Sequence, residues 1–440
     1  MTMSKTYESS RRVVVTGLGV LSSLGIGAEA FWKRLAAGES GIAEIHLLPY
    51  SAAPHNVGGE VRNFDDQLVR STFPKKQRKS ARVMCREIRL GVVSAALALA
   101  DSGIDLETMD HDRFGVDFGA NLMFSPPDVL RDACWQCVQE DDAQRRFQYD
   151  QWGEVGLKSM EPLWLLKYLP NMPACHIGIF MDARGPNNSI TQDEASGNLA
   201  LGEAMQVILR GRADVMLAGT TGTRLHPVKS IHAALWDELA SSELPPQKWC
   251  RPFDLNRTGQ VLAEGACSFL LEEASHARSR GANILATILG SGSSCVFKRN
   301  GRPRIRQALV NAMRSALRDA GLRPDEIGHV NAHGLSSRDS DREEARAIQD
   351  IFGRDAEVPV TALKSYFGNA GSGCGTLELA GSLLGLKQGV VPATLNYETA
   401  DPECPINVVH GQPLAVSNKT VLNINVTRIG QASALVASVE

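Results

Sequence analysis

The stretch richest in groups able to do chemistry is Gly185-Pro186-Asn187-Asn188-Ser189-Ile190-Thr191-Gln192-Asp193-Glu194-Ala195-Ser196-Gly197. A turn of Gly, Pro and Asn, a short run, and then a helix opening on polar residues describe a strand-to-helix elbow. The helix reads from Asn198 to Arg210, with Leu199, Ala200, Ala204, Ile208 and Leu209 on one side. The plain reading is an ordinary βα turn; the functional one is a side chain presented at a helix N-terminus, where free amides favour an anion. Asp193 and Glu194 are the two ionisable side chains at that turn. Burial beside Asp193 would raise one of the two carboxyl pKa values, which suits a general acid or base. Cys134 and Cys137 form a CxxC, but no second pair or His ligands stand at metal-site spacing, so they read as two thiols a helical turn apart.

The elements that must hold these groups are those of an alternating α/β protein. At 440 residues the chain is long enough for two core units. Its 43% hydrophobic and 22% charged residues are those of a soluble globular protein, and a net charge of −3 gives no reason to expect nucleic acid. No apolar run reaches the ~20 residues of a membrane span. Nine scattered Cys suggest reduced thiols and a cytoplasmic protein. Residues 1–10, MTMSKTYESS, read as a loose tail and not a signal peptide. A buried first strand is expected in RRVVVTGLG, residues 11–19, and a helix from about Ala28 to Ala37 with Phe31, Trp32 and Leu35 as its stripe. A second strand ending in Gly runs Ala213–Gly219, and at Ile284–Gly290 strand, turn and helix begin again. Residues 75–89, KKQRKSARVMCREIR, are strongly basic and read on composition as a solvated face. Residues 121–172, with the acidic Glu140-Asp141-Asp142, Trp152 and Trp164, are the least legible part.

Several motifs then fall in one order. Gly185, Pro186, Ser189, Ile190, Ser196 and Gly197 resemble the elbow G-P-S-x-S-I-x-T-A-C-x-S-G of the β-ketoacyl-acyl carrier protein synthases (ketosynthases, thiolase superfamily). The resemblance continues in Val13–Gly19, Gly38-Glu39-Ser40-Gly41-Ile42, Asn171–His176, and Pro252-Phe253-Asp254 with Arg257, Gly259 and Glu264-Gly265-Ala266. It continues in Val330-Asn331-Ala332-His333-Gly334 with Ser336, Asp341 and Glu344, and in Leu363-Lys364-Ser365 through Gly368-Asn369. His176 reads as a packed structural histidine, whereas the motif around His333 favours function.

The resemblance implies an α/β, duplicated thiolase-like fold. Its two similar halves, here 11–283 and 284–440, carry central five-stranded mixed sheets in a layered α-β-α-β-α arrangement. It also implies a dimer, formed with itself or with a Cys-containing ketosynthase through the strand near the elbow. Acyl groups would arrive on the phosphopantetheine of acyl carrier protein, docked by Lys76, Arg78 and Lys79, with no cofactor of the chain's own. Glu194 occupies the position of the family's nucleophilic Cys, Asn369 that of its second His, and Leu335 that of the Thr after the His-Gly pair. His333 and Lys364 match. The glycine-rich gate N-S-F-G-F-G-G-T-N reads here Asn425 to Ser433, keeping Asn425 and Gly430, with Ile429 and Gly430 at the oxyanion and gate positions. A swinging loop needs Gly for its unusual backbone angles, and Arg428 and Gln431 have lost that freedom.

A condensing enzyme needs a thiolate and two donors for the malonyl thioester carbonyl. Glu194 is a poor nucleophile, and Cys374, expected in a turn beyond Asn369, does not replace it. Ordinary condensation is therefore not expected. The first reading is a non-condensing, chain-length-factor-like partner. The second is a malonyl-carrier decarboxylase using His333 and Asn369 as donors. Against it, two carboxylates about 4 Å apart at a dielectric near 20 repel by roughly 4 kcal/mol. A helix N-terminus returns only about 0.3–1 kcal/mol, so Lys364 or a proton on Glu194 must compensate. The third has Glu194 as acid or base on a carrier-bound chain; a structural pseudoenzyme that only binds carrier protein is the fourth.

Overall fold

The computed structural model describes residues 11–48, 51–141, 144–353 and 357–440. The expected tail 1–10 and Asp142 of the acidic stretch lie outside the described residues. The N-terminal half contributes five principal strands, β1 (Val13–Ser22), β2 (Phe114–Ala120), β3 (Asn187–Ile190), β4 (Val215–Thr223) and β5 (Glu264–Glu273). They lie in the order β3-β2-β4-β5-β1. The C-terminal half contributes β6 (Ala286–Cys295), β7 (His329–Asn331), β8 (Val360–Thr361), β9 (Thr420–Val426) and β10 (Gln431–Ser438), in the order β8-β7-β9-β10-β6.

The two orders are the same permutation, with the same pairing. The two outer pairs of each sheet are parallel and the two inner pairs antiparallel. Even a register shift recurs, between Val15 and Gly17 on β1 and between Ile288 and Gly290 on β6. The halves join where β1 pairs β6 over Val13–Val15. β1 is buried along its whole length, as expected of a strand covered on both faces.

Five layers follow. α1 (Arg86–Ser102) and α2 (Met172–Met181) cover one outer face, packing Ile88, Val92 and Ile177 on Val116 and Phe118. α3 (Ser196–Leu209) lies in the middle layer between the sheets. α4 (Ile305–Ala320) and α5 (Arg338–Phe352) cover the other outer face through Leu309, Met313 and Ile348. α6 (Cys374–Lys387) completes the middle layer, where Leu201 and Met205 of α3 share a core with Leu377 and Leu383.

The middle helices approach so closely that only glycine fits between their first turns. A Cβ on Gly197 would sit 2.8 Å from the Thr376 amide nitrogen. That crossing sets the turn before α3 against the turn before α6, and it gathers the chemistry at one place. The expected strand Ala213–Gly219 proves longer, running to Thr223, and its continuation carries Arg224 into the same place.

Candidate active site

Glu194 stands on the single turn Asp193–Ala195 that leads into α3, and it is buried. The elbow is sharp enough to hold Asp193 at φ 39°, a left-handed value for a non-glycine residue, while Ser196 Oγ accepts from the Gln192 amide at 2.9 Å. The Glu194 carboxylate does not project free into a pocket. Arg224 Nη2 donates to its Oε1 at 2.5 Å, and Asn369 Nδ2 donates to the same oxygen at 3.0 Å. Arg224 Nη1 donates to Asp237 at 3.2 Å, and Arg428 Nε lies 3.7 Å from the other Asp237 oxygen. The Arg428 guanidinium also lies over the Trp236 ring, 5.4 Å from its centre. A line of alternating charge thus runs from the C-terminal loop to the elbow.

The electrostatics follow from burial and this line. Burial alone would raise the Glu194 pKa, but Arg224, the Asn369 amide, its own backbone amide and Lys364 together bring it below the ordinary value. Asp193 moves the other way, raised by burial and by the charge of Glu194. The adjacent carboxyls are therefore driven apart, as expected, with Asp193 and not Glu194 as the one pushed up.

His333 follows β7, where Glu344 accepts from its backbone amide at 2.6 Å and from that of Gly334 at 2.8 Å. Burial, then Lys364 and Arg224, hold its pKa well below the ordinary range, so the imidazole is neutral at physiological pH. Lys364 Nζ meets His333 Nδ1 at 3.1 Å and donates to the His333 carbonyl at 2.7 Å and to Glu378. Burial works against the Lys364 charge, but Glu378 more than offsets it and keeps the ammonium protonated. An ammonium donating to Nδ1 leaves the imidazole proton on Nε2. Asn425 Nδ2 completes the cluster by donating to Glu378 at 2.6 Å.

Two cavities meet at Glu194. One, of about 290 Å³, is lined by Leu122, Phe124, Lys229, Trp236 and Ile429; the other, of about 280 Å³, by His333, Leu335, Ser337 and Gln260. Glu194, Arg224, Trp236, Asp237, Thr427 and Arg428 line both and form the wall between them.

Several expectations are corrected. Asn369 is not an available donor, because its amide group is spent on Glu194 and on Gln260 Oε1, the latter at 2.6 Å. Lys364 is not the main counter-charge of Glu194, since it is committed to Glu378 and His333; Arg224 takes that place, at the end of a buried strand thirty residues from the elbow. A charged residue directly after a wholly buried strand was the one signal that could have found it. Gly430 has φ 84°, as a gate glycine would, but its amide donates to Thr427 O at 2.9 Å and is closed to an oxyanion. Ile429 is exposed and borders the first cavity. Cys374 lies not in a turn but at the start of α6, buried, with its sulfur 3.4 Å from Asn369 Oδ1 and its pKa pushed up to about 12, first by burial. Lys76, Arg78 and Lys79 lie away from both cavities, exposed on a 3-10 segment, Lys75–Val83. Arg78 and Lys79 line a surface groove with Arg70, Arg82 and Arg89. Cys134 and Cys137 are free thiols at the end of a helix, Pro127–Gln136, and beside it. Among the described residues no helix is long and apolar enough to cross a membrane.

Comparison with known proteins fits this architecture. Residues 10–277 match the β-ketoacyl synthase N-terminal domain and residues 285–398 its C-terminal domain. The chain belongs to the β-ketoacyl synthase family, with the duplicated thiolase-like fold. It is 32% identical over 415 residues to a 3-oxoacyl-[acyl-carrier-protein] synthase 2 of Coxiella burnetii, covering 94% of this chain and 95% of the relative. It is also 32% identical over 426 residues to the tetracenomycin polyketide synthase ketoacyl synthase alpha subunit of Streptomyces glaucescens, covering 95% of each. Among solved structures, the ishigamide ketosynthase/chain length factor superposes with a TM-score of 0.82 at 26% identity, covering 98% of this chain and 99% of the other. A type II polyketide acyl carrier protein in complex with its ketosynthase matches with the same TM-score and identity, over 98% of this chain and 100% of that one.

Proposed function

We propose that this chain is a non-condensing, chain-length-factor-like member of its family in fatty acid or polyketide biosynthesis. It works with a Cys-bearing ketosynthase and receives acyl groups on the phosphopantetheine of an acyl carrier protein. The observation that carries the reading is the engagement of Glu194. At the position the family motif gives to Cys stands a carboxylate paired with Arg224 and hydrogen-bonded by Asn369. A group held this way neither takes up an acyl chain nor leaves a thiolate-sized vacancy beside the helix N-terminus.

Carrier docking by Lys76, Arg78 and Lys79 is supported by the exposure of all three, and opposite charge mainly speeds and orients such an encounter. Among the described residues the edge strand β3 pairs only on its β2 side, which supports dimerisation there. Acid–base work by Glu194 is disfavoured, because a carboxyl with a lowered pKa is a weak base near neutrality. Malonyl decarboxylation is the second reading. It is favoured by the neutral His333, whose Nε2 carries a proton beside the cavity, and by Arg224, which offsets the repulsion from Glu194. It lacks the second donor.

The test is reconstitution. The chain, mixed with a candidate Cys-bearing ketosynthase and loaded carrier protein, should form a dimer by light scattering and change product length by mass spectrometry. A monomer both alone and in the mixture, with unchanged products, refutes the partner reading.

A further inference from the structure

No Asp or Glu occurs between Glu273 and Asp319, and midway through that interval stands Phe297-Lys298-Arg299-Asn300-Gly301-Arg302-Pro303-Arg304. These residues form a short hairpin between β6 and α4. The Lys298 amide donates to the Arg302 carbonyl and the Arg304 amide to that of Val296, both at 2.8 Å, and Phe297 bridges Pro303. Gly301, at φ 76°, makes the turn. Lys298, Arg299, Arg302 and Arg304 are all exposed, and among the described residues none of the four is ion-paired. The carboxylates around the hairpin and the second cavity are taken: Asp350 by Arg306, Asp339 by Arg342, Asp237 by Arg224 and Arg428, and Glu238 by the Ser337 hydroxyl. Apolar side chains stand among the free cations. Phe297 is 49% exposed and Ile429 56%. Their two segments touch, since a Cβ on Gly430 would lie 2.8 Å from Pro303 Cβ. Arg428, on the same loop, covers Trp236, which is itself exposed.

We propose that the hairpin Phe297–Arg304, with Ile429 beside it, binds the surface of an anionic lipid membrane. Unpaired, exposed cations hold no small ion in place, but they are attracted to a sheet of head-group phosphates, at about fivefold in affinity for each Lys or Arg brought near it. The exposed ring and the isoleucine add what a purely polar anion would not use, a place at the boundary between head groups and acyl chains. Long basic side chains suit that depth, because their stems lie in the apolar layer while the charge stays among the phosphates. The attachment is peripheral and local, since the chain as a whole is slightly acidic and only this face is basic and apolar together. It also has an orientation. Ile429 and Trp236 line the first cavity and Ile305 and Arg428 the second, so the bound face is the one onto which both cavities border. The inference is independent of the partner reading above.

The experiment floats the full chain with vesicles of phosphatidylcholine alone and of phosphatidylcholine with phosphatidylglycerol. Wild type should float with the mixed vesicles at low salt, stay behind with phosphatidylcholine alone, and be released as salt is raised. Lys298→Glu with Arg299→Glu should weaken binding by more than about 25-fold, from the loss of two fivefold contributions and the addition of two repulsions. Phe297→Ala should weaken it by roughly fivefold, the share of a half-exposed ring. Thermal melts equal to wild type show that these exposed changes leave the fold intact. Phe297→Trp should keep binding and add fluorescence that bromine-labelled lipid quenches. Wild type that floats with neither vesicle overturns the proposal, whether or not the same variants lose affinity for a carrier protein, and leaves the partner reading standing. Binding that hairpin reversal leaves unchanged, or that falls only in Lys76→Glu with Lys79→Glu, overturns it too.

Discussion

Replacing Arg224 with Met removes the central cation of the site at nearly constant volume and leaves Glu194 buried without its main counter-ion. Side-chain exposures of 6% for Glu194 and 17% for Arg224 put the pair in the class where breaking one partner costs about 3–5 kcal/mol. At about 2.1 cal/mol/K of unfolding entropy per residue, a chain of 440 residues loses roughly 1 °C of melting midpoint per kcal/mol. The expected fall is therefore roughly 3–5 °C, read by calorimetry. The pH dependence has a definite sign. In the wild type, the Glu194 pKa lies below its unfolded value, so its stabilisation is present above the unfolded pKa and lost as pH falls through the folded one. Without Arg224, burial dominates and the Glu194 pKa rises above the unfolded value. Asp193 and Asp237, which Arg224 also holds down, rise with it. Arg224→Met should then be most deficient at pH 7.5 and recover toward wild type at pH 5.5, as the carboxyls take up protons. Adding Glu194→Gln should restore part of the loss, with a coupling energy of about 1–3 kcal/mol. A midpoint within 1 °C of wild type, or a deficit equal at both pH values, refutes the ion-pair account.

Glu194→Gln keeps the shape, removes the negative charge and leaves Arg224 available to a malonyl carboxylate; conversion of malonyl- to acetyl-carrier protein, followed by mass spectrometry, should appear or rise. Fast decarboxylation by wild type that Gln slows would make Glu194 a working catalyst. Glu194→Cys should restore acyl loading only weakly, since Asn369 and the gate are not those of a condensing enzyme; loading at the level of a Cys-bearing ketosynthase would count against the reading. Lys76→Glu with Lys79→Glu should weaken carrier binding and flatten its salt dependence, measured by titration at low and moderate salt. Unchanged affinity at low salt would make the basic segment only a solvated face.

The sequence by itself determined the family, the elbow and the identity of the side chain at its tip. These are local: a Gly-Pro turn, small residues where helices cross, and motif residues within a few positions of one another. It also showed the altered neighbours, Asn369, Leu335 and the Arg428 loop, because each falls inside a motif. Only the tertiary structure decided what Glu194 is bonded to. Arg224 and Asp237 lie 30 and 43 residues from it, and nothing in those intervals states that a strand end and a helix end converge on the elbow. The duplication was legible only as a second strand-turn-helix start at Ile284. Its proof is the identical strand order and the repeated register shift, which depend on pairings between segments far apart in the chain. The donor at Asn369 was overrated for the same reason. A side chain's type gives its hydrogen-bonding capacity, but only its neighbours in space say whether that capacity is already used.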